Sequence, residues 1–169
     1  MLWSKAFVAV LVASLLYGCG FRPLYGNSEQ NAGVTRSMAQ VSVVLIPDRI
    51  GQKLRNFLLD RINPAGESTH PLYSLEVTTS SSRENLGIER DETATRAILI
   101  LHAKYNLLDR ATQKLLIRGS LQSTNSFNIV DSDFATLSAE NDALDRAARE
   151  ISDDIKTRLG LYFSRKPAN

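Results

Sequence analysis

The sequence predicts an α+β fold, a two-layer sandwich in which two helices pack on one face of a four-stranded mixed sheet. The chain has 169 residues, of which 43% are hydrophobic and 22% charged, a composition typical of one globular domain. Four stretches have the apolar runs or apolar–polar alternation of strands, and two have the apolar spacing of helices. Their order is strand–helix–strand–strand–strand–helix, which a two-layer arrangement accommodates with both helices on the same side.

The first strand and the first helix are consecutive. Residues 40–46 form a short, valine-rich apolar run that ends at Pro47, which predicts a buried strand. Asp48 is the candidate N-cap of the helix that follows, and the segment from Asn63 to Gly66 ends that helix. Its core-facing stripe consists of Ile50, Leu54, Phe57, Leu58 and Ile62.

Three further strands follow this helix. Residues 73–80 alternate apolar and polar side chains, and residues 96–108 are apolar on both faces at their start. Residues 115–127 are expected to pair with the latter across the polar turn 109–114. The polar face of this last strand carries Arg118, Ser120, Gln122, Thr124 and Ser126.

A long amphipathic helix, from about residue 134 to residue 163, completes the domain. The small Ala148 in its apolar stripe indicates a close approach to the sheet. The predicted stripe is Leu137, Leu144, Ala148, Ile151, Ile155, Leu159 and Tyr162.

Residues 1–18 are expected to be a lipoprotein signal peptide. The twelve uncharged residues 6–17 cover about 18 Å as a helix, which is short of the ~30 Å hydrocarbon core of a membrane. The run Leu16-Tyr17-Gly18-Cys19 resembles a bacterial lipobox, with the only cysteine of the chain at the cleavage position. The alternative is a plain secretory signal followed by a buried cysteine. Because Cys19 lies outside any periodic apolar pattern, we expect it to carry a diacylglycerol and an N-linked acyl chain, with no other cofactor.

The residues after Cys19 indicate where the protein is anchored. Gly20 occupies the position at which an aspartate would retain a lipoprotein in the inner membrane, so the sequence favours the outer membrane of a Gram-negative bacterium. Phe21, Leu24 and Tyr25 are expected to lie at the membrane interface or to dock on a partner; the alternative is a linker in which these apolar residues have no such role. The expected division is a signal peptide at 1–18, an acylated tether at 19–36, the α+β domain at 37–163 and a polar tail at 164–169.

Composition and motifs argue against several classes of function. A net charge of +2 lacks the basic excess of a nucleic-acid-binding protein. One cysteine and two histidines are too few for a structural zinc or iron–sulfur site. Neither His70 nor His102 has a nucleophile motif nearby, which argues against an enzyme, and His102 is expected to be a sheet-face residue.

Five basic residues are candidate contacts for an anionic ligand at the rim of the sheet. Arginine binds phosphate and carboxylate groups in a bidentate manner. The alternative is a solvated loop at residues 80–95, and the acidic residues there favour this reading. The candidates are Arg83 and Arg90 in the polar stretch 80–95, Arg96 just after it, and Arg110 and Lys114 at the other hairpin turn.

The run Gly18-Cys19-Gly20-Phe21-Arg22-Pro23-Leu24-Tyr25-Gly26 resembles the start of the lipopolysaccharide-assembly lipoprotein family. The order of elements and the long last helix, which ends in Leu159-Gly160-Leu161-Tyr162-Phe163, are similar to that family too. The resemblance implies two helices on a four-stranded sheet and a small subunit that plugs a large outer-membrane β-barrel. It also implies lipopolysaccharide (LPS) binding and assistance to barrel assembly, without catalysis. Only Cys19 is carried over as a functional residue; the five basic residues are expected LPS contacts on chemical grounds alone.

A second hypothesis is a generic periplasm-facing lipoprotein that binds a small ligand or an envelope partner. It predicts a concave apolar pocket, whereas a plug in a polar barrel lumen should present a hydrophilic surface.

Overall fold

The computed structural model describes residues 29–88 and 94–165 of the chain. Four strands form one mixed sheet in the order β1-β2-β3-β4, with β1 parallel to β2 and the other neighbours antiparallel. The predicted α+β fold and mixed four-stranded sheet are confirmed. The elements are α1 (Glu29–Ala39), β1 (Val41–Val43), α2 (Arg49–Ile62), β2 (Tyr73–Ile88), β3 (Ala94–Asp109), β4 (Leu115–Asn128) and α3 (Asp133–Arg165).

Helix α1 was not predicted: most of it lies within residues 19–36, which were expected to be a tether. Its sequence has only a weak apolar stripe, formed by Val34 and Met38, which are four residues apart and therefore share one face. Both side chains are buried in the main core. Tertiary packing rather than helix propensity therefore stabilises this helix.

The hairpin formed by β2 and β3 is longer than the sequence predicted. The stretch 80–88, expected to be part of a loop, continues β2 and pairs with β3, as at Ser80 opposite His102 and Glu84 opposite Ile98. Serines on both faces of the strand from Ser80 to Ser82 abolish the apolar alternation that marks a half-buried strand. Backbone pairing nevertheless continues through them.

The main core lies between the sheet and the helices. It joins Leu54 and Leu58 of α2 to Leu75, Leu101 and other apolar residues of the sheet. A second, smaller cluster lies towards the β2–β3 connection and consists of Ala97, Leu99, Phe127 and Ala143.

The buried stripe of α3 differs from the predicted one at its N-terminal end. Leu137 is 57% exposed, whereas Ala143 and Ala147 are fully buried. The small alanines let the helix approach the sheet, so the stripe follows them rather than the larger leucine. The predicted Ala148, Ile151, Ile155 and Leu159 are buried, and Leu144 and Tyr162 are half-buried.

Two features fix how α2 joins its neighbours. Asp48 precedes the helix, as predicted, but its side chain makes no capping hydrogen bond, and its φ of 68° lies in a region that favours glycine. At the other end Asn63 is buried, and its Nδ2 donates to the carbonyl oxygens of Ala39 (3.3 Å) and Val41 (3.2 Å). Asn63 therefore connects the end of α2 to the α1–β1 junction.

Charged pairs join α2 to α3 on the outer surface. Lys53 pairs with Asp145, and the Arg61 guanidinium donates to both carboxylate oxygens of Asp153. This hydrogen bonding is the main reason that the pKa of Asp153 is lowered, and it raises the pKa of Arg61. The Arg61 guanidinium also lies 5.6 Å from the Phe57 ring centroid.

Candidate functional site on the open face of the sheet

The helices pack on one face of the sheet and leave the opposite face exposed over the described residues; we call the latter the open face. Strand side chains alternate between the two faces, so every second residue of β2, β3 and β4 lies on it. Hydroxyl, amide and charged groups dominate this surface. Its exposed members include Glu76, Thr78, Ser80, Ser82, Arg96, His102, Lys104, Arg118, Ser120, Gln122, Thr124 and Ser126.

The strand register groups two cations on the open face. Lys104 lies directly between Thr78 of β2 and Ser120 of β4, and Asn106 lies between Glu76 and Arg118. Residues two apart on a strand share a face, so Arg118 is a diagonal neighbour of Lys104 at about 7–8 Å between backbones. Long side chains reach across such a distance.

A shallow concavity of about 520 Å³ lies over this group. Within it the Arg118 Nε donates to the Asn106 Oδ1 over 3.3 Å, which holds the guanidinium in place. Neither Lys104 nor Arg118 forms an ion pair with a carboxylate of the described residues. Six of its lining residues bring polar side chains: Glu76, Thr78, Lys104, Asn106, Arg118 and Ser120.

Arg83 does not lie in a solvated loop, as the sequence predicted, but on the helix side of the β2 strand. Its Nη1 donates to Glu140 of α3 over 2.9 Å, and its guanidinium carbon lies 5.2 Å from the Phe127 ring centroid. Its Nε donates to Asn85. These partners engage two of the three guanidinium nitrogens and give Arg83 a structural role between the hairpin and α3.

The other predicted contacts do not converge on one site. Arg96 lies on the open face, where its Nη2 donates to the Ser126 hydroxyl over 3.1 Å. Arg110 and Lys114 are exposed in the β3–β4 turn at the opposite end of the sheet. With a rise of about 3.3 Å per residue, Arg96 and Arg110 are about 45 Å apart along the strand direction. Arg90, like Cys19, lies outside the described residues.

Both histidines are exposed in the described structure. His102 is exposed on the open face between Ser80 and Gln122, which confirms its predicted place on the sheet. His70 is exposed in the loop before β2, with its Nδ1 3.0 Å from the Thr69 hydroxyl. Among the described residues, no three histidine, cysteine or acidic side chains are grouped as metal ligands would be.

Sequence reasoning missed that Lys104 and Arg118 are diagonal neighbours on the same face of the sheet. The sequence predicts Arg118 on the polar face of its strand, but Lys104 lies in a stretch that is apolar on both faces where it begins. A register shift between Leu107 and Leu108 changes the offset of β3 against β4. The turn length alone therefore did not show which residues face each other.

The comparisons with known proteins agree with this fold. A family model described as LptE, lipopolysaccharide-assembly, matches residues 38–159. An uncharacterized protein of Rickettsia prowazekii is 23% identical over 157 residues, which cover 93% of this chain and 96% of that protein.

Solved structures of three lipoproteins share the fold. A putative lipoprotein from Caulobacter crescentus superposes with a TM-score of 0.67 at 22% identity, covering 80% of this chain and 98% of that one. A minor lipoprotein from Acinetobacter baumannii gives 0.59 at 14% identity, with coverages of 73% and 92%. The rare lipoprotein B from Shewanella oneidensis gives 0.54 at 11% identity, with coverages of 72% and 93%.

A search for membrane-spanning helices over residues 29–88 and 94–165 finds none with the length and apolarity to cross a bilayer.

Proposed function

This chain belongs to the lipopolysaccharide-assembly (LptE) family, and on that premise we propose that it binds LPS and plugs a large outer-membrane β-barrel. The family places the chain in LPS assembly. Our proposal adds that it acts from the outer membrane, anchored through acyl chains on Cys19, and that it helps the barrel to assemble. The role is one of binding and scaffolding, without turnover.

The polar open face is the observation that carries the plug proposal. The lumen of a transmembrane β-barrel is lined by polar side chains, so a protein that occupies it needs a hydrophilic surface. Strands β2 and β3 are 16 residues long each, about 50 Å at the usual rise. On the open face β4 presents mostly hydroxyl and amide groups, whereas β2 and β3 present charged and hydroxyl groups together with apolar ones such as Leu86, Ile98 and Ile100. Inside a barrel, the polar groups of the open face would replace their hydrogen bonds to water by hydrogen bonds to side chains of the lumen, at a small net cost in free energy.

The alternative, a generic lipoprotein with a small apolar ligand, has less support. The concavity on the open face is lined mainly by charged, hydroxyl and amide side chains. Ligand pockets for apolar molecules are lined mainly by hydrophobic and aromatic groups. The surface therefore favours a hydrophilic partner.

The proposed anchor is compatible with the length of chain before α1. The ten residues from Cys19 to Ser28 span at most about 35 Å when extended. That reach connects an acylated cysteine in the periplasmic leaflet with a domain held in a neighbouring barrel. Several acyl chains on one residue hold more firmly than a single chain does.

Affinity purification of the full-length protein from detergent-solubilised outer membranes tests the plug proposal. We expect one large β-barrel protein to co-purify in a fixed ratio, and protease digestion of intact complexes to spare the α+β domain. A Cys19→Ser variant should lose its acyl mass and its firm membrane attachment. Purification without any large barrel would refute the plug, and an acylated Cys19→Ser product would refute the anchor.

A further inference from the structure

We propose that the concavity between Lys104 and Arg118 is a seat for a phosphorylated sugar. This inference rests on the proposed function, because it assigns part of LPS recognition to a defined place. Its location differs from the one expected from the sequence, because neither Lys104 nor Arg118 is among the five basic residues expected to contact LPS.

Two cations with free hydrogen-bonding capacity define the seat. The Arg118 guanidinium uses its Nε to bind Asn106, and its two terminal nitrogens make no hydrogen bond within the described structure. Lys104 is exposed, and its ammonium group has no ion pair among the described carboxylates. A guanidinium binds phosphate oxygens in pairs and an ammonium acts as a point charge beside it, so together they suit one phosphate group.

The other lining groups favour a sugar rather than a bare anion. Glu76 accepts hydrogen bonds, while the Thr78 and Ser120 hydroxyls both donate and accept them. The Glu76 carboxylate can accept hydrogen bonds from the hydroxyl groups of a sugar, which offset its repulsion of the phosphate, whereas inorganic phosphate offers no sugar hydroxyls. The ligand that satisfies all of these groups therefore carries both a phosphate and several hydroxyls.

The residues that line the concavity match two other ligand classes less well. Acyl chains need an apolar wall, and six of the side chains that line this site are charged, hydroxyl or amide groups. Single-stranded nucleic acid is bound by aromatic stacking platforms, and the lining contains no aromatic side chain. A volume of about 520 Å³ lies in the range of small-molecule sites.

The experiment uses the full mature chain, purified in detergent micelles and labelled with nitrogen-15. Glucose 6-phosphate, inorganic phosphate and glucose are titrated separately, and shifts of the Lys104 and Arg118 signals are followed. We expect glucose 6-phosphate to shift both signals at concentrations where phosphate or glucose alone has little effect. Equal saturation by inorganic phosphate would overturn the sugar requirement, and absence of shifts at both residues would overturn the seat.

Variants of the lining residues test whether glucose 6-phosphate binds at Lys104 and Arg118. The double variant Lys104→Ala/Arg118→Ala should weaken binding about tenfold or more, because it removes both charge-assisted contacts. Arg118→Lys keeps the charge but not the fork, so we expect an intermediate loss. Arg96→Ala is the control, because Arg96 lies on the same face about 26 Å from Lys104 along β3. An equal loss in the control would overturn the location.

The outcomes separate this inference from the proposed function. If the barrel co-purifies and LPS still binds while glucose 6-phosphate shifts nothing, only the seat fails. If glucose 6-phosphate binds at Lys104 and Arg118 but no barrel co-purifies, the plug fails and the seat stands. All three variants change exposed side chains, so we expect each to fold, and a thermal unfolding midpoint measured for each one checks this.

Discussion

Gly119 lies directly opposite Tyr105 across strands β3 and β4, and the Tyr105 ring occupies the space that a side chain at position 119 would need. A Cβ atom at position 119 would lie 2.6 Å from the ring carbons and the hydroxyl oxygen. Tyr105 is buried in the main core, so its ring has little freedom to move aside.

We therefore expect Gly119→Ala to destabilise the protein by about 1–3 kcal/mol through overpacking. Urea unfolding followed by circular dichroism measures the change. Gly33→Ala is the control, because nothing lies within 4 Å of a Cβ there and alanine favours the helix that contains it. A wild-type unfolding midpoint for Gly119→Ala would show that the ring moves freely.

Replacement of Asn63 tests the connection between α2 and the α1–β1 junction. Asn63→Ala leaves the carbonyl oxygens of Ala39 and Val41 without this donor, and we expect a loss of about 1–3 kcal/mol. Asn63→Asp should cost more, because it places a carboxylate against two carbonyl oxygens. Thermal unfolding checks both, with Asn56→Ala on the exposed side of α2 as the control. Equal midpoints for the Asn63 and Asn56 variants would contradict the assignment.

The Arg61–Asp153 pair predicts a change of stability with pH. The pKa of Asp153 is lowered in the folded protein, first because Arg61 donates hydrogen bonds to it. Its contribution to stability is therefore present above the ordinary carboxyl pKa of about 3.9 and is lost as the pH falls through the lower folded value.

The expected contribution is below about 1 kcal/mol, because the Asp153 side chain is 61% exposed and solvent screens the pair. The free energy of unfolding of the wild type minus that of Asp153→Asn measures it. We expect a small positive difference at pH 6 that declines below about pH 4 and is reduced by salt. A difference that grows in acid would have the wrong sign for this pair.

Arg83 gives a prediction that separates a structural role from a ligand contact. Arg83→Ala removes the ion pair with Glu140 and the contact with Phe127, so we expect it to lower stability by about 1 kcal/mol. LPS binding measured well below the unfolding temperature should stay at the wild-type level. Weaker binding by a folded Arg83→Ala protein would restore Arg83 as a ligand contact.

The sequence predicted strands best where one face is apolar and the other polar. In β4 this contrast correctly placed Arg118, Ser120 and Thr124 on one face. Serines 80–82 have no such contrast, so their sequence predicts a loop where the second half of β2 lies, and it does not show on which side of the sheet Arg83 lies.

The site itself depends on the alignment between strands, which no local pattern contains. Lys104 faces Ser120 because of a register shift near Leu107, and one residue of difference would have changed its neighbours. Helix α1 could not be predicted for a related reason. Val34 and Met38 stabilise it by packing in the main core, and that contact is not visible in the local sequence.

The separate cluster of Ala97, Leu99, Phe127 and Ala143 has a consequence for local unfolding. Its buried members include two alanines, so it buries far less apolar surface than the main core, and segments with few buried contacts open at lower free energy than the whole molecule. Native-state hydrogen exchange should therefore reveal two cooperative units, with slow amides around Leu75 and Leu107 and faster ones around Leu99 and Phe127. The protein would then combine a rigid end with an end that rearranges without global unfolding.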